Sequence, residues 1–301
     1  MELTWFTLAL MATFFWGLSD VTFKRGVDPG DKYSHLRIII MIGIIMGIQA
    51  FIELNKLGWS NYNLKTSLIY FPISFLYILS MTVDFYGYRY LEISVGSPVA
   101  STSGAMAAVL SFKVLGKTMT PIQFFATSLM TGGLVVLAIL EARAEKKEKS
   151  LEAKTFEKAH LGAVALIFPI SYALMDAVAT FLDDVYLSTI LSPEEALISF
   201  ELTFLFVALI SLFYLVVIKK ERYNIKEEKY NILGGIFETA GQFFYVYALS
   251  GNSVVAAPLM SIDGIVAVIV GRIWLKEKLS RRQYITIVMI TIGVFILGFY
   301  Q

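Results

Sequence analysis

The sequence predicts an all-α polytopic membrane protein whose ten transmembrane helices form two inverted five-helix repeats. Three observations predict it. Of 301 residues, 57% are hydrophobic and only 16% charged, where a soluble chain carries about a quarter charged. Apolar runs of about 20 residues, the length of a helix that crosses a bilayer, recur along most of the chain. The second half also repeats parts of the first.

Apolar runs and charged breaks place the spans near 3–24, 34–53, 67–88, 94–114, 120–140, 161–182, 196–218, 230–250, 253–275 and 282–300. The first begins "MELTWFTLAL". It lacks the positive n-region of a signal peptide, and no small-residue cleavage site follows it, so it is expected to remain as a helix. Spans two to five are separated by short polar breaks. The longest break, "EARAEKKEKSLEAKTFEKAH" at 141–160, reads as a solvated linker. It leaves a first repeat over 1–140 and a second over 161–301. The two histidines, His35 and His160, are expected at helix ends. There is no cysteine, which excludes disulfides, thiolate metal sites and cysteine nucleophiles.

Orientation follows from Lys and Arg. Of 25 such residues, only Lys56, Lys65, Lys113 and Lys117 fall in the even-numbered loops. The positive-inside bias therefore puts the odd loops and the linker in the cytoplasm and both termini outside a plasma membrane. The net charge of +1 says nothing about partners, because the location of the charges matters more than their sum; no nucleic-acid partner is expected. The expected partners are the bilayer, a small-molecule substrate, and protons or a counter-substrate, for a monomer or homodimer.

The internal repeat is read by sliding the chain 160 residues. Pro98, Ser101, Gly104 and Ala107 fall on Pro258, Ser261, Gly264 and Ala267, and Leu115, Gln123, Thr131, Gly133 and Leu137 on Leu275, Gln283, Thr291, Gly293 and Leu297. The first four recur every third residue, so small side chains share one helix side and permit close approach. With an offset of 156, "FWGLSD" (15–20) overlies "SYALMD" (171–176). Both put an aromatic, Trp16 or Tyr172, one turn before an aspartate, Asp20 or Asp176. A five-helix repeat is odd, so its second copy enters the membrane from the other side, which is a transporter architecture.

The duplicated stretches "SPVASTSGAMAAVLSFKVLGKTMTPIQ" and "APLMSIDGIVAVIVGRIWLKEKLSRRQ", with "FWG" near the start, resemble the EamA-like branch of the drug/metabolite transporter superfamily. The resemblance covers nearly the whole chain. It implies a secondary carrier of small metabolites with a cavity between the halves. The chain departs from that pattern in two places. Lys117 stands where the family has a glutamate, which Glu277 keeps in the second copy, and Asp20 stands where a polar amide is usual.

Six acids fall within the spans: Asp20, Asp84, Asp176, Glu201, Glu238 and Asp263. No Lys, Arg or His lies mid-span. A charge at the bilayer centre costs about 3 kcal/mol on insertion scales, so such acids are expected to face the bundle interior or a wet cavity. Structural alternatives exist for several. Asp20 is one turn from Lys24 and Asp84 five residues from Arg89, Glu201 is near enough to a helix end to reach the interface, and Asp183 and Asp184 are expected to be solvated at the end of the sixth helix. Glu238 and Asp263 are deepest, and are the proton-coupling candidates. Burial disfavours an ionised carboxylate and a bound cation favours it, so one acid can exchange a proton for a cation.

Aromatics accompany these acids. Glu238, Gln242 and Tyr245 share a helix face at i, i+4 and i+7, and aromatic faces beside carboxylates suit an organic ammonium. The predicted substrate-binding set is Trp16, Asp20, Asp84, Tyr172, Asp176, Glu238, Gln242, Tyr245 and Asp263, with no catalytic residue, metal or cofactor. The expected function is secondary active transport of a small cationic or zwitterionic amine-bearing metabolite, of amino acid or quaternary ammonium type, by proton coupling or exchange with alternating access. The alternative is an exporter of neutral or aromatic metabolites in which the acids only handle protons. No HExxH motif argues for an intramembrane enzyme; Asp84 and Asp263 could in principle supply an aspartyl-protease pair, but the flanking YD and GxGD signals are missing, and no GxxxxGK[ST] motif argues for ATP. A channel is the less expected reading, although inverted repeats do not exclude one.

Overall fold

The computed structural model describes residues 4–152, 165–275 and 280–300. Its helices are α1 (Trp5–Gly26), α2 (Ser34–Leu57), α3 (Leu64–Gly87), α4 (Ile93–Ala100), α5 (Ser103–Leu115), α6 (Pro121–Glu152), α7 (Ile167–Thr189), α8 (Pro193–Phe213, continued by a π turn at Tyr214–Ile218), α9 (Lys229–Met260), α10 (Asp263–Trp274) and α11 (Arg281–Phe299). His35 lies in the first turn of α2. His160 and Glu277 lie outside the described residues.

The duplicated "(S/T)-x-x-Q" has a local cause. At the start of α11, Ser280 and Gln283 form a capping box. At the start of α6, Thr120 N–H donates to Gln123 Oε1 (3.0 Å) and Gln123 N–H to Thr120 Oγ1 (3.3 Å). Each motif satisfies backbone donors that helix formation leaves unpaired.

Five expectations need correction. The fourth span is not continuous: α4 ends at Ala100, and α5 starts again at Ser103. Pro98 removes a backbone donor there, and the Ser101 hydroxyl bonds back to Ser97 O (2.8 Å). The ninth span breaks in the same way after Pro258, between Met260 and Asp263, with the Ser261 hydroxyl on Ala257 O (3.1 Å). Conversely, the gap expected between spans eight and nine shrinks to one extended residue, Asn252, inside α9. The sixth helix reaches Thr189 rather than residue 182, which carries Asp183 and Asp184 inside it. Helix α6 runs to Glu152, so 141–152 of the expected linker is helical.

The contacts follow an inverted twofold pattern. Exchanging the halves turns α1 into α7, α2 into α8, α3 into the first part of α9, α4 into its last turns, α5 into α10, and α6 into α11. Helix α1 packs on α9, as α7 does on α3. It also packs on α10, as α7 does on α5. The pairs α2–α8 and α6–α11 map onto themselves. The two helix breaks cross at the centre. A Cβ on Gly104 would strike Ser261 Oγ and Ala257 O, and one on Gly264 would strike Ser101 Oγ and the Ser97 carbonyl. The repeated small residues are therefore where the halves touch.

Eight helical segments among the described residues are long and apolar enough to cross a membrane by themselves. Two of the ten expected spans fall short for physical reasons. Helix α7 carries Asp176, Asp183 and Asp184, and α10 is only the second half of a broken span. Large apolar side chains face outward, among them Phe51, Phe71, Phe206, Ile285 and Phe295. That is what a hydrocarbon surrounding permits, because lipid can accept such side chains and cannot hydrogen-bond polar ones.

Candidate functional site

A cavity of about 80 Å³ lies where the helix breaks meet α1, α3, α7 and α9. That is several times the space one water needs. All nine residues of the predicted substrate-binding set line it. Tertiary packing thus brings together groups up to 247 positions apart, Trp16 to Asp263.

Asp20 arrives on α1 and is held by hydroxyls from two other elements. Tyr88 Oη donates to Oδ1 (2.8 Å) and Ser97 Oγ to Oδ2 (2.8 Å). Asp263 opens α10 immediately after the helix break. Ser101 Oγ donates to its Oδ1 at 3.1 Å, and the Gly264 amide donates to the same oxygen at 2.9 Å. Glu238 on α9 accepts from Ser19 Oγ at 2.7 Å. Asp176 on α7 sits beside Ser103 and Tyr172. Asp20, Asp176 and Asp263 keep part of their surface open, whereas Asp84 and Glu238 are buried.

The cationic neighbours that the sequence offered go elsewhere. Lys24 Nζ reaches the carbonyls of Tyr88 and Leu91, both at 2.5 Å. Arg89 donates to Pro29 O (2.9 Å) and lies over the Tyr86 and Tyr90 rings. Among the described residues no Lys, Arg or His lines the cavity. Five carboxyl groups therefore face one small space, with hydroxyl and amide donors around them.

The walls are aromatic. The Trp16 and Tyr245 rings are 5.1 Å apart, with Tyr77 next to Tyr245 and Phe200 next to Tyr77. Gly241 is needed where Trp16 lies, since a Cβ there would enter the indole. The buried Trp16 Nε1 has no hydrogen-bond partner among the described residues. Among the described residues no three His, Asp or Glu converge as a metal site requires.

Two acids are not where the sequence placed them, and Glu201 takes the interior of its two expected positions. Glu201 is fully buried on α8, which packs against α2, and does not reach an interface. Both its oxygens lack a hydrogen-bond partner among the described residues. Asp183 and Asp184 are buried, not solvated. Asp183 accepts from Tyr70 Oη (2.6 Å) and Tyr245 Oη (3.0 Å). Asp184 accepts from Ser111 Oγ (2.9 Å) and from Lys117 Nζ (2.5 Å). The helix continues through both because neighbours supply their donors.

Sequence reasoning missed Tyr77, Thr180, Phe200, Ser97, Ser101 and Ser103 as lining residues. Two had a signal: Thr180 is one turn after Asp176, and Tyr77 is two turns before Asp84. Phe200 had none, because an aromatic in an apolar span reads as packing.

The EamA-like transporter family model matches the chain twice, over residues 3–139 and 163–299. The chain belongs to the EamA-like transporter family. It is accordingly a membrane-embedded, multi-pass transporter, and its central cavity lies at the junction of the two EamA repeats. One solved crystal structure superposes on 97% of this chain and 96% of its own with a TM-score of 0.67 at 15% identity, which speaks to the fold. No curated protein matches the sequence.

Proposed function

We propose that this EamA-family chain is a secondary carrier for a small cationic or zwitterionic amine-bearing metabolite, of quaternary ammonium or amino acid type. It works by alternating access of the two repeats in the cell membrane, with both termini outside and the 141–160 segment in the cytoplasm. One observation carries the reading: five carboxylates and an aromatic wall share a cavity that no cationic side chain enters. An ammonium group supplies the missing charge and gains cation–π contact with Trp16 and the tyrosines. Glu238 and Asp263 bind the cation in competition with protons, so a proton gradient or a counter-substrate drives the cycle.

The test is thermal stabilisation of purified protein by amines, amino acids, and neutral and anionic metabolites at pH 6 and pH 8. A ligand stabilises the fold according to its occupancy. Amines stabilise more at pH 8, where fewer carboxylates hold a proton, and Asp263→Asn weakens that effect. Stabilisation by neutral or anionic compounds alone overturns the cation reading. It would favour the alternative, an exporter of neutral or aromatic metabolites, whose support is that Ser19, Ser97, Ser101 and Tyr88 already supply donors to the acids. In that case Asp263→Asn keeps binding and loses proton coupling.

A further inference from the structure

Asp183 is fully buried one layer behind the cavity and does not line it. It is joined to the cavity by a run of hydroxyls. Tyr245 Oη is 3.0 Å from Asp183 Oδ2, Tyr77 Oη is 2.5 Å from Tyr245 Oη, and Thr180 Oγ1 is 3.0 Å from Tyr77 Oη. Tyr245, Tyr77 and Thr180 all line the cavity. Tyr70 Oη, on the far side, donates to Asp183 Oδ1 at 2.6 Å.

Proton counting makes this run two-state. Each hydroxyl carries one proton. If Tyr245 donates to Asp183, then Tyr77 must donate to Tyr245, and Tyr77 oxygen accepts from Thr180 or from a donor in the cavity. If Tyr77 donates to Thr180 or into the cavity, then Tyr245 must donate to Tyr77, and Asp183 must itself carry a proton and donate it to Tyr245. The first arrangement holds Asp183 as a carboxylate and the second as a carboxylic acid. Conversion needs only O–H bonds broken and formed in sequence. Asp183 gives its proton to Tyr245, which passes its own to Tyr77, which passes its own to water in the cavity.

We propose that Asp183 carries a coupling proton of the transport cycle, loaded and unloaded through Tyr245 and Tyr77 by way of the central cavity. This rests on the cation-carrier reading and deepens it. A substrate ammonium donating to Tyr77 selects the arrangement in which Asp183 is ionised, so cation and proton exclude one another without touching the same carboxylate. Because the hydroxyl run from Asp183 ends at residues lining the cavity, its proton leaves along that run toward whichever side the cavity faces. The groups around it are Tyr70 and Tyr77 on α3, Tyr245 on α9, and Asp176 and Asp184 on its own helix. Lys117, after α5, is paired with Asp184 at 2.5 Å. Helix α8 contributes the apolar Phe200 ring against Tyr77. Asp183 acts through the tyrosines and is a positioning and proton-holding residue.

Two measurements test it. In proteoliposomes with choline as probe, the wild type shifts choline accumulation with an imposed pH gradient. Asp183→Asn keeps choline exchange and loses the response to the gradient by at least about tenfold. A gradient response equal to wild type overturns the proposal and leaves the cation-carrier reading standing. The second measurement needs no substrate. Infrared difference spectra of the full-length protein across a pH titration show a protonated-carboxyl band that changes together with a tyrosine band. Asp183→Asn removes that carboxyl band, and its persistence overturns the proposal. If wild-type protein does not move choline, the quaternary ammonium reading falls and the spectra still decide the role of Asp183. If Asp183→Asn does not fold, Tyr245→Phe serves: the carboxyl band stays but the tyrosine change is lost, and spectra identical to wild type overturn the proposal.

Discussion

Lys117 ties three elements at one end of the bundle, beside a second pocket that it lines with Asp184, Ser188 and Ser253. Its Nζ contacts Asp184 on α7 at 2.5 Å, Ser188 on α7 at 3.2 Å and Ser253 at 2.9 Å, next to the break in α9. Replacing it with methionine leaves Asp184, among the described residues, with the Ser111 hydroxyl at 2.9 Å and a long contact from the Ser188 hydroxyl at 3.4 Å, and no cation. Removing one partner of a fully buried pair costs about 3–5 kcal/mol, and an exposed pair is worth about 0–1 kcal/mol. Here the Asp184 side chain is 4% exposed and the Lys117 side chain 32%, so the cost falls between, at about 2 kcal/mol. If the pair forms only when this end is closed, Lys117→Met shifts the closed-to-open ratio by about 30-fold, at 1.4 kcal/mol per factor of ten. The chain has no cysteine, so Thr180→Cys introduces a single thiol in the cavity wall. Its maleimide labelling rate in purified protein then reads the opening. The expected result is a rate increase approaching that factor, restored by Lys117→Arg. An unchanged rate in Lys117→Met refutes the latch and the magnitude reasoning with it.

The central crossing gives a packing prediction. Gly104→Ala and Gly264→Ala each lower stability by about 1–3 kcal/mol through overpacking against backbone, read as a drop in the thermal unfolding midpoint. Gly132→Ala, whose Cβ meets nothing within 4 Å, is neutral or slightly stabilising. Trp16→Ala weakens binding of a quaternary ammonium by about tenfold, from a cation–π contribution of about 1–2 kcal/mol, as measured by thermal-shift titration; equal affinity argues against the aromatic wall as a binding surface. Single cysteines at Lys149 and Asn61 report orientation in intact cells. An impermeant maleimide labels the Asn61 position and not the Lys149 position if the linker is cytoplasmic, and the reverse pattern inverts the assigned topology.

Much of the fold is legible in the sequence because lipid leaves the chain few choices. A span must close its own backbone hydrogen bonds and present apolar side chains, so run length and composition alone mark most helices. The repeated Pro98/Pro258 and Ser101/Ser261 were also legible, but as a small-residue stripe; that they break the helices appears only in the structure. The nine residues that line the cavity could be picked singly, because an acid in an apolar span is expensive and an aromatic one turn away is a local pattern. Asp183 and Asp184 were misread for the same reason. Two adjacent charges look like a helix end, and the donors that keep them buried, Tyr70, Ser111, Lys117 and Tyr245, come from α3, the α5 region and α9.

By itself, then, the sequence determined a membrane protein of two inverted repeats and the residues whose burial needs a reason, since both follow from local composition, periodicity and the internal repeat. Only the tertiary structure decided that Asp20, Asp84, Asp176, Glu238 and Asp263 share one cavity without a cation, that Lys24, Arg89 and Lys117 are engaged elsewhere, and that Asp183 is connected to the cavity through Tyr245 and Tyr77. Those are distances between helices far apart in the chain, and helical periodicity fixes which face a side chain is on but not what the face opposite it carries.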